Sequence, residues 1–255
     1  MNALSVFVRV IFALIKREAR TRNGKMRFGY VWAFLEPALY LGGFVAFRSF
    51  LRSSVPFGEN TIVYMLTAIL TFRIAMALSR RTLGAIHSNM ALLTYPQVKT
   101  FDVIFSRILL ETATWLIITC VFVSGLFFVT DIWPMQRPEE FLSGLGATFF
   151  FGASFGFFNA TFVRLFPFWE KIMAMLSLPL FFISGLFFLP STFPPDIQGW
   201  LWWNPYLHAV EWVRSGVYLD YAPFLSKSYL LTLSLIFLFL GLFINRFFQR
   251  KMLEE

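Results

Sequence analysis

With 255 residues, 58% of them hydrophobic and only 14% charged, the chain is far from the roughly 25% charged composition of soluble domains, which excludes a soluble globular protein. No polar stretch is long enough to build a second core, so residues 1–255 read as a single membrane domain. The net charge of +8 is accounted for by basic connections on one membrane face rather than by nucleic acid, and the lone Cys120 excludes a disulfide framework and a Cys-based metal site.

Residues 3–22 come first. Arg9 interrupts their apolar run and no small-residue cleavage site follows, which argues against a signal peptide. Helical spacing puts Leu4, Phe7, Ile11 and Leu14 on one face and Arg9, Lys16 and Arg20 on the other. That is the pattern of an amphipathic helix lying in the membrane interface, apolar side down.

Six apolar segments follow at about 29–50, 60–79, 102–130, 141–163, 169–190 and 227–246, each near the roughly 20 residues that a transmembrane helix needs. The expected fold is an all-α polytopic membrane protein of six spans. With the N-terminus in the cytoplasm, that side carries fifteen Lys and Arg in its connections. The other side carries five: Arg48, Arg52, Arg137, Arg214 and Lys227. The asymmetry predicts that both termini are cytoplasmic.

The first span contains Glu36 followed by Pro37, a pair expected to bend the helix. Arg73 in the second span, with Arg107 and Glu111 in the third, lies at a depth similar to that of Glu36 at 1.5 Å per residue. Arg107 and Glu111 are also spaced i, i+4 on one helix face. Two acids and two bases predict a neutral cluster joining spans one to three. It is either a structural network or the lining of a pathway's inner mouth, where an arginine greets an anionic group.

Between spans two and three, HSNMALLTYPQV at 87–98 predicts a short cytoplasmic helix, capped by Ser88 or Asn89 and stopped by Pro96. Met90, Leu92 and Leu93 give it a small apolar face. It is either a connector dipping into headgroups or a plug for a groove on a soluble partner.

The pentapeptide SGLFF occurs at 124–128 and at 184–188, near the outer ends of spans three and five. Both copies are expected to use glycine for close packing. Span four carries Gly144, Thr148, Gly152, Gly156 and Ala160 at every fourth position, a stripe suited to close helix approach within the protomer or across a dimer.

Residues 191–226 form the longest external connection and are dense in Trp and Tyr, which mark a membrane–water interface. Pro195 opens one short helix. Asn204 caps a second, with Pro205 at its first position. The pair is too short to span and predicts an interfacial or re-entrant hairpin. Within it, Glu211 and Arg214 are spaced to pair across one turn. His208 and Glu211 are too few ligands for a metal.

No GxxxxGK[ST] is present. Gly24-Lys25 is followed by Met26, and Ala19 stands where the first glycine belongs. The chain has no phosphate cradle of its own, and no Ser/His/Asp set appears.

The stretches RNGKMRFGYVWAFLEPALY at 22–40, NMALLTYPQV at 89–98, FISGLFFLPSTFP at 182–194 and NPYLHAVEWVRSGVY at 204–218 together resemble the permease subunit of ABC-2 type exporters for capsular polysaccharide. More loosely they resemble O-antigen and teichoic acid permeases. The resemblance covers nearly the whole chain. It implies a multi-pass protein of the bacterial inner membrane that acts as a homodimer with two copies of a separate ATPase. It carries no cofactor itself; ATP and Mg belong to the partner. The implied substrate is a long, often anionic glycan on a phospholipid end, and the implied partners include a periplasmic adaptor and an outer-membrane channel.

By that resemblance the coupling helix is 88–96, with Asn89, Leu92, Leu93, Thr94, Tyr95 and Pro96 facing the ATPase. The N-terminal helix also lies along the ATPase. The periplasmic gate carries Trp200, Trp202, Trp203, Tyr206, His208, Glu211, Trp212 and Arg214. Spans one and five line the glycan path, where Trp32, Tyr40, Phe181, Phe182, Phe187 and Phe188 offer rings for the apolar faces of sugars. Two other classes remain open. A proton-coupled secondary transporter would use Glu36 and Glu111 as relay groups, although no inverted repeat supports it. A membrane glycosyl- or acyltransferase would use Glu211 or His208 as an external base.

Overall fold

The computed structural model describes residues 3–23, 29–50, 56–58, 60–130, 135–221 and 223–249. Among them the helices are α1 (Ala3–Asn23), α2 (Gly29–Phe50), α3 (Thr61–Arg81), α4 (Thr100–Thr130), α5 (Pro138–Leu165), α6 (Trp169–Ile183), α7 (Pro195–Trp202), α8 (Pro205–Val217) and α9 (Lys227–Phe247). A 3-10 turn at His87–Leu92 lies between α3 and α4.

Local chemistry sets several boundaries. Asn60 caps α3, its Oδ1 accepting from Ile62 N at 2.9 Å and Val63 N at 3.3 Å. Asn204 caps α8 through Tyr206 N at 3.0 Å, with Pro205 at N1, as expected from the sequence. At the start of α4, Asp102 reaches back to Lys99 N at 2.9 Å, the return arm of a capping box.

Among the described residues, four helices are long and apolar enough to cross a membrane: α3, α4 over Thr100–Phe128, α5 and α9. The 15 residues of α6 rise only about 22 Å at 1.5 Å each, so the segment expected at 169–190 is helical over little more than its first two-thirds. Its remainder turns at Gly185, which takes φ +75°.

The two ends of the molecule differ. At one, α1, the 87–98 segment, the start of α4 and the end of α9 converge. Leu14, Ala85, Ile86, Val103 and Ile104 are buried there together, with Ile244 packed against them, and Thr100 Oγ1 donates to Asn245 Oδ1 at 2.6 Å. This is the terminal end. At the other, the hairpin end, α8 inserts between α3 and α5.

Helix α3 is the centre of the bundle, buried on nearly every face from Val63 to Ser79. The small-residue stripe of α5 explains how its neighbours come so close. A Cβ added at Gly144 would lie 2.9 Å from Val213 N of α8. One at Gly156 would lie 2.5 Å from Leu78 O of α3. Thr82 Oγ1 bonds Gly156 O at 2.9 Å across the same contact. The stripe therefore packs within the chain.

The two SGLFF copies do not share a conformation. Residues 124–128 continue the helix of α4, with open space around Gly125. Residues 184–188 form a turn in which a Cβ on Gly185 would meet Leu207 Cδ1 at 2.7 Å. Close packing through glycine holds for the second copy alone.

Candidate functional site

The terminal-end layer is built from α1, the 87–98 segment and α4. On α1, Ile11 and Leu14 are buried, Leu14 in a cluster with Ile104 and Ile108 of α4, and Phe7 stacks on Phe105. The face expected to lie on the membrane is thus covered in good part by α4. Val8 and Phe12 remain exposed.

The 87–98 segment is shorter than expected. Its 3-10 turn ends at Leu92, four residues before Pro96, and no side chain caps it. Asn89 is buried. Its Oδ1 accepts from Arg17 Nη1 at 2.7 Å and its Nδ2 donates to Ala85 O at 2.9 Å. Leu92 and Leu93, expected to point outward, are half-buried and pack inward on the α1–α4 cluster. The outward surface is Thr94, Tyr95 and Pro96, with Tyr95 61% exposed.

The expected charge cluster resolves into three ion pairs. Arg73 pairs with Glu36, and Arg107 with Glu18 of α1. Arg81 reaches Glu111 at 3.1 Å. Both residues of the expected i, i+4 pair thus have a partner on another helix, and the network draws in Glu18 and Arg81. Desolvation explains the pairing, because a charge drawn out of water is held by an opposite charge close by, and each of these finds one on a neighbouring helix. Arg73 also lies over the Tyr40 ring, 4.8 Å from its centroid. Arg73, Arg80, Arg81, Glu36 and Glu170 line an open cavity of about 310 Å³ between α2, α3 and α6.

The hairpin end holds a denser polar site. Glu211 and Arg214 are both fully buried and pair at 3.1 Å. Tyr221 donates to both Glu211 oxygens, at 2.8 and 2.7 Å, and Phe224 N donates to Oε2 at 3.0 Å. Arg214 Nη2 donates to Gly185 O at 3.0 Å, and its guanidinium covers the Tyr64 ring at 4.1 Å. Burial, with Glu211 alongside, pushes the Tyr221 hydroxyl well above its ordinary range, so it stays a donor. His208 is equally committed. Its Nδ1 accepts from Ser226 N at 3.1 Å, and its Nε2 lies 2.7 Å from Trp202 O, which requires the proton on Nε2. Burial holds its pKa below the ordinary histidine value. Neither ring nitrogen is left to bind a metal or take a substrate proton.

The gate residues therefore fall into two groups. Tyr206, His208, Glu211, Trp212 and Arg214 lie on α8, whose residues from Tyr206 to Val217 are all buried. Trp200 (82% exposed) and Trp203 (68% exposed) face outward from α7 and the turn after it. Trp202 is half-buried, tilted on Tyr229 at 4.6 Å. The hairpin combines an inserted helix, α8, with a surface helix, α7. Glu140 clamps its far side, accepting from Lys227 Nζ at 2.7 Å and Trp212 Nε1 at 2.9 Å.

Helices α2 and α6 meet through rings. Phe44 lies 5.5 Å from Phe181 and 4.9 Å from Phe187, and Tyr40 lies 6.1 Å from Phe181. Phe181 is buried in this seam, Phe187 is half-buried, and Tyr40 and Phe182 are exposed beside it. Phe188 stands apart, edge-on to Phe193 at 4.9 Å. The side chain of Trp32 lies outside the described residues.

Several residues of these networks were not singled out from sequence. Arg17 and Glu18 were absorbed in a basic helix face. Tyr221 reads as one of the interfacial aromatics of 191–226, and Tyr64 carries no signal of its own within span two. Asn159 is fully buried, donates to Ser79 O at 2.9 Å and accepts from Trp169 Nε1 at 2.9 Å, so it ties α3, α5 and α6 together. An Asn inside the apolar span 141–163 was the available signal, since amides in lipid seek partners on other helices.

Comparison with known proteins adds to this geometry. The family model for ABC-2 type transporters matches residues 9–218. The chain is 31% identical over 250 residues to the polysialic acid transport protein KpsM of Escherichia coli, covering 95% of each chain. It is 31% identical over 253 residues to the capsule polysaccharide export inner-membrane protein BexB of Haemophilus influenzae, covering 98% of this chain and 94% of that one. It is 29% identical over 245 residues to the capsule polysaccharide export inner-membrane protein CtrC of Neisseria meningitidis, covering 94% and 91%.

Proposed function

The chain belongs to the ABC-2 type transporter family, and on that premise we propose that it is the membrane permease of an exporter that moves capsular polysaccharide across a bacterial inner membrane. The observation that carries this reading is the near-complete coverage, in both directions, of relatives named for polysialic acid transport and capsule polysaccharide export. O-antigen and teichoic acid are the alternative cargoes of the same machine.

The energy comes from outside the chain. The sequence has no phosphate-binding loop, so a separate ATPase, binding ATP and Mg, supplies the motion. Thr94, Tyr95 and Pro96 are the outward surface that meets it, while Leu92 and Leu93 hold the segment onto the protein. The assembly is a homodimer with two ATPase subunits, joined by a periplasmic adaptor and an outer-membrane channel. The chain crosses the membrane six times, through α2, α3, α4, α5, α6 and α9. The Lys and Arg asymmetry supports a cytoplasmic terminal end.

The glycan passes along α2 and α6, where exposed Tyr40 and Phe182 flank the seam. Rings give weak, repeated contacts to sugar faces, which suits a moving polymer better than a tight site. The cavity lined by Arg73, Arg80 and Arg81 suits the entry of an anionic end. Two observations disfavour the other classes. Glu36 and Glu111 are each engaged in an ion pair, a poor state for proton relays. Glu211 and His208 are buried and saturated, which leaves no external base for a transferase.

The test is reconstitution. Vesicles holding the chain together with its ATPase and MgATP are expected to accumulate capsular polysaccharide. Vesicles holding the chain alone are expected to accumulate none. Uphill movement by the chain alone overturns the reading.

A further inference from the structure

Helices α2 and α4 both pack on α3, and near the hairpin end an open groove of about 300 Å³ lies between the three. Ile62 and Leu66, in the first two turns of α3, and Val121, Phe122 and Leu126, in the last three turns of α4, line it together with Leu41 of α2. These side chains are all hydrocarbon. The neighbouring hydroxyls are spent within their own helices: Thr67 Oγ1 donates to Val63 O at 3.0 Å, Thr119 Oγ1 to Trp115 O at 2.7 Å and Ser124 Oγ to Cys120 O at 2.7 Å. Gly125 completes the wall, and a Cβ added there would meet nothing within 4 Å. Glycine weakens a helix. At Gly144 and Gly156 that cost is offset by the close approach of a neighbouring helix. At Gly125 the chain itself gives nothing in return, and this is the SGLFF copy that close packing does not explain.

We propose that this groove seats one acyl chain of a membrane phospholipid, from the leaflet at the hairpin end, as a fixed part of the bundle. Two of its walls, α3 and α4, are long and apolar enough to cross a membrane, so its neighbour there is lipid hydrocarbon rather than water. A helix of a second copy is a poor fit. One helical turn with its side chains, about 10–12 Å across and 5.4 Å tall, occupies roughly 400–600 Å³. That is more than the groove holds, so such a helix would bridge the mouth and leave a void beneath. An extended peptide would bring N–H and C=O groups that a hydrocarbon wall leaves unpaired. An unbranched acyl chain is narrow, flexible and free of polar groups, and it gains dispersion contact along its whole length. The site also lies against α2. Leu41 reaches both large apolar clusters of the bundle, while Tyr40 and Phe44 on the same helix meet Phe181 of α6. A seated tail therefore holds α2 from the α4 side while the rings hold it from the α6 side. The inference needs the membrane spans but not the export reading.

The test uses the full chain in vesicles of phosphatidylethanolamine and phosphatidylglycerol, with a trace of phosphatidylglycerol that carries a diazirine midway along one acyl chain. After irradiation, labelled positions are mapped by peptide mass spectrometry. Labelling at Leu41, Val121 and Phe122 is expected to exceed that at Leu231 and Leu235, exposed on α9 toward the same end, by roughly tenfold, which is about 1.4 kcal/mol of preference. Gly125→Leu fills the groove and is expected to bring its labelling down to the α9 level. Gly125→Ala improves the helix but adds a single methyl group, so it is expected to keep the labelling. The vesicles hold no glycan, so labelling at the groove assigns ordinary phospholipid rather than the lipid end of a cargo.

Labelling of the groove no denser than that of α9 overturns the site. So does labelling that survives Gly125→Leu, or that falls equally with Gly125→Ala. If Gly125→Leu inserts poorly, Val121→Trp fills the groove from its exposed rim, and labelling that survives it overturns the site as well. Gly125→Cys in a Cys120→Ser background reads the rival occupant: a disulfide-linked dimer formed in full on oxidation places a second copy of the chain over the groove and overturns the lipid site. Export enters none of these readouts, so failure here leaves the proposed function untouched.

Discussion

The two ends of the molecule handle charge in opposite ways. Toward the terminal end, the three ion pairs Arg73–Glu36, Arg107–Glu18 and Arg81–Glu111 each keep at least one partly exposed partner. At the hairpin end, a single pair, Glu211–Arg214, is 0% exposed, and every Glu211 oxygen is engaged. Partly exposed pairs cost less to break than buried ones, and fully exposed pairs are worth only about 0–1 kcal/mol. A buried pair is destabilising by about 3–5 kcal/mol when one partner is removed, because the other is left charged in the core. The pairs of the terminal end are thus the weaker ones. The hairpin end is built as a lock.

The largest expected effect comes from opening that lock. Glu211→Ala is expected to cost about 3–5 kcal/mol, read as lost monodisperse protein and a lower Tm in detergent. The double change Glu211→Leu with Arg214→Leu is expected to recover most of that loss. If Glu211→Ala is no worse than Glu111→Ala, the contrast between the ends is wrong.

The repeated pentapeptide gives the next contrast. Gly185→Ala forces a side chain into the left-handed region, roughly 1–2 kcal/mol, and into Leu207. It is expected to lower Tm visibly. Gly125→Ala, in open space within α4, is expected to be neutral or slightly stabilising, since Ala is the better helix former by about 1 kcal/mol. Equal effects of the two changes in the same assay break the distinction.

A smaller effect is expected from pH. Burial holds His208 neutral and its folded pKa below the unfolded value of about 6.5. Its contribution is full above that value and is lost as pH falls through the folded pKa. Thermal unfolding from pH 7.5 down to 5 is expected to show a steeper fall in Tm for wild type than for His208→Gln. The smallest effect is expected at Arg81, 34% exposed. Arg81→Gln keeps a hydrogen-bond donor toward Glu111, so it is expected to lower Tm less than Gly185→Ala does, and a loss as large as that of Glu211→Ala breaks the contrast.

Much of the scaffold was legible in the chain. Apolar run lengths located α2 to α5 and α9, because a helix crossing lipid must satisfy its backbone within itself. Asn204-Pro205, Pro195 and the i, i+3 spacing of Glu211 and Arg214 announced the hairpin, because caps and pairs within one helix are local. The charge cluster was legible as a group but not as pairs. Glu18 lies 89 residues from Arg107, and nothing in α1 marks it as more than one charge in a basic face. The burial of Asn89 and the inward turn of Leu92 and Leu93 depend on where α1 lands, which no local pattern encodes.

Composition and local pattern alone identify a helical membrane protein and place the starts of its long helices. These follow from interactions within a few residues of one another. Packing alone settles which arginine meets which glutamate, that α8 inserts while α7 stays at the surface, and that one SGLFF turns while its twin stays helical. Those outcomes are set by the desolvation of groups distant in the chain, and that energy exists only once the helices have packed.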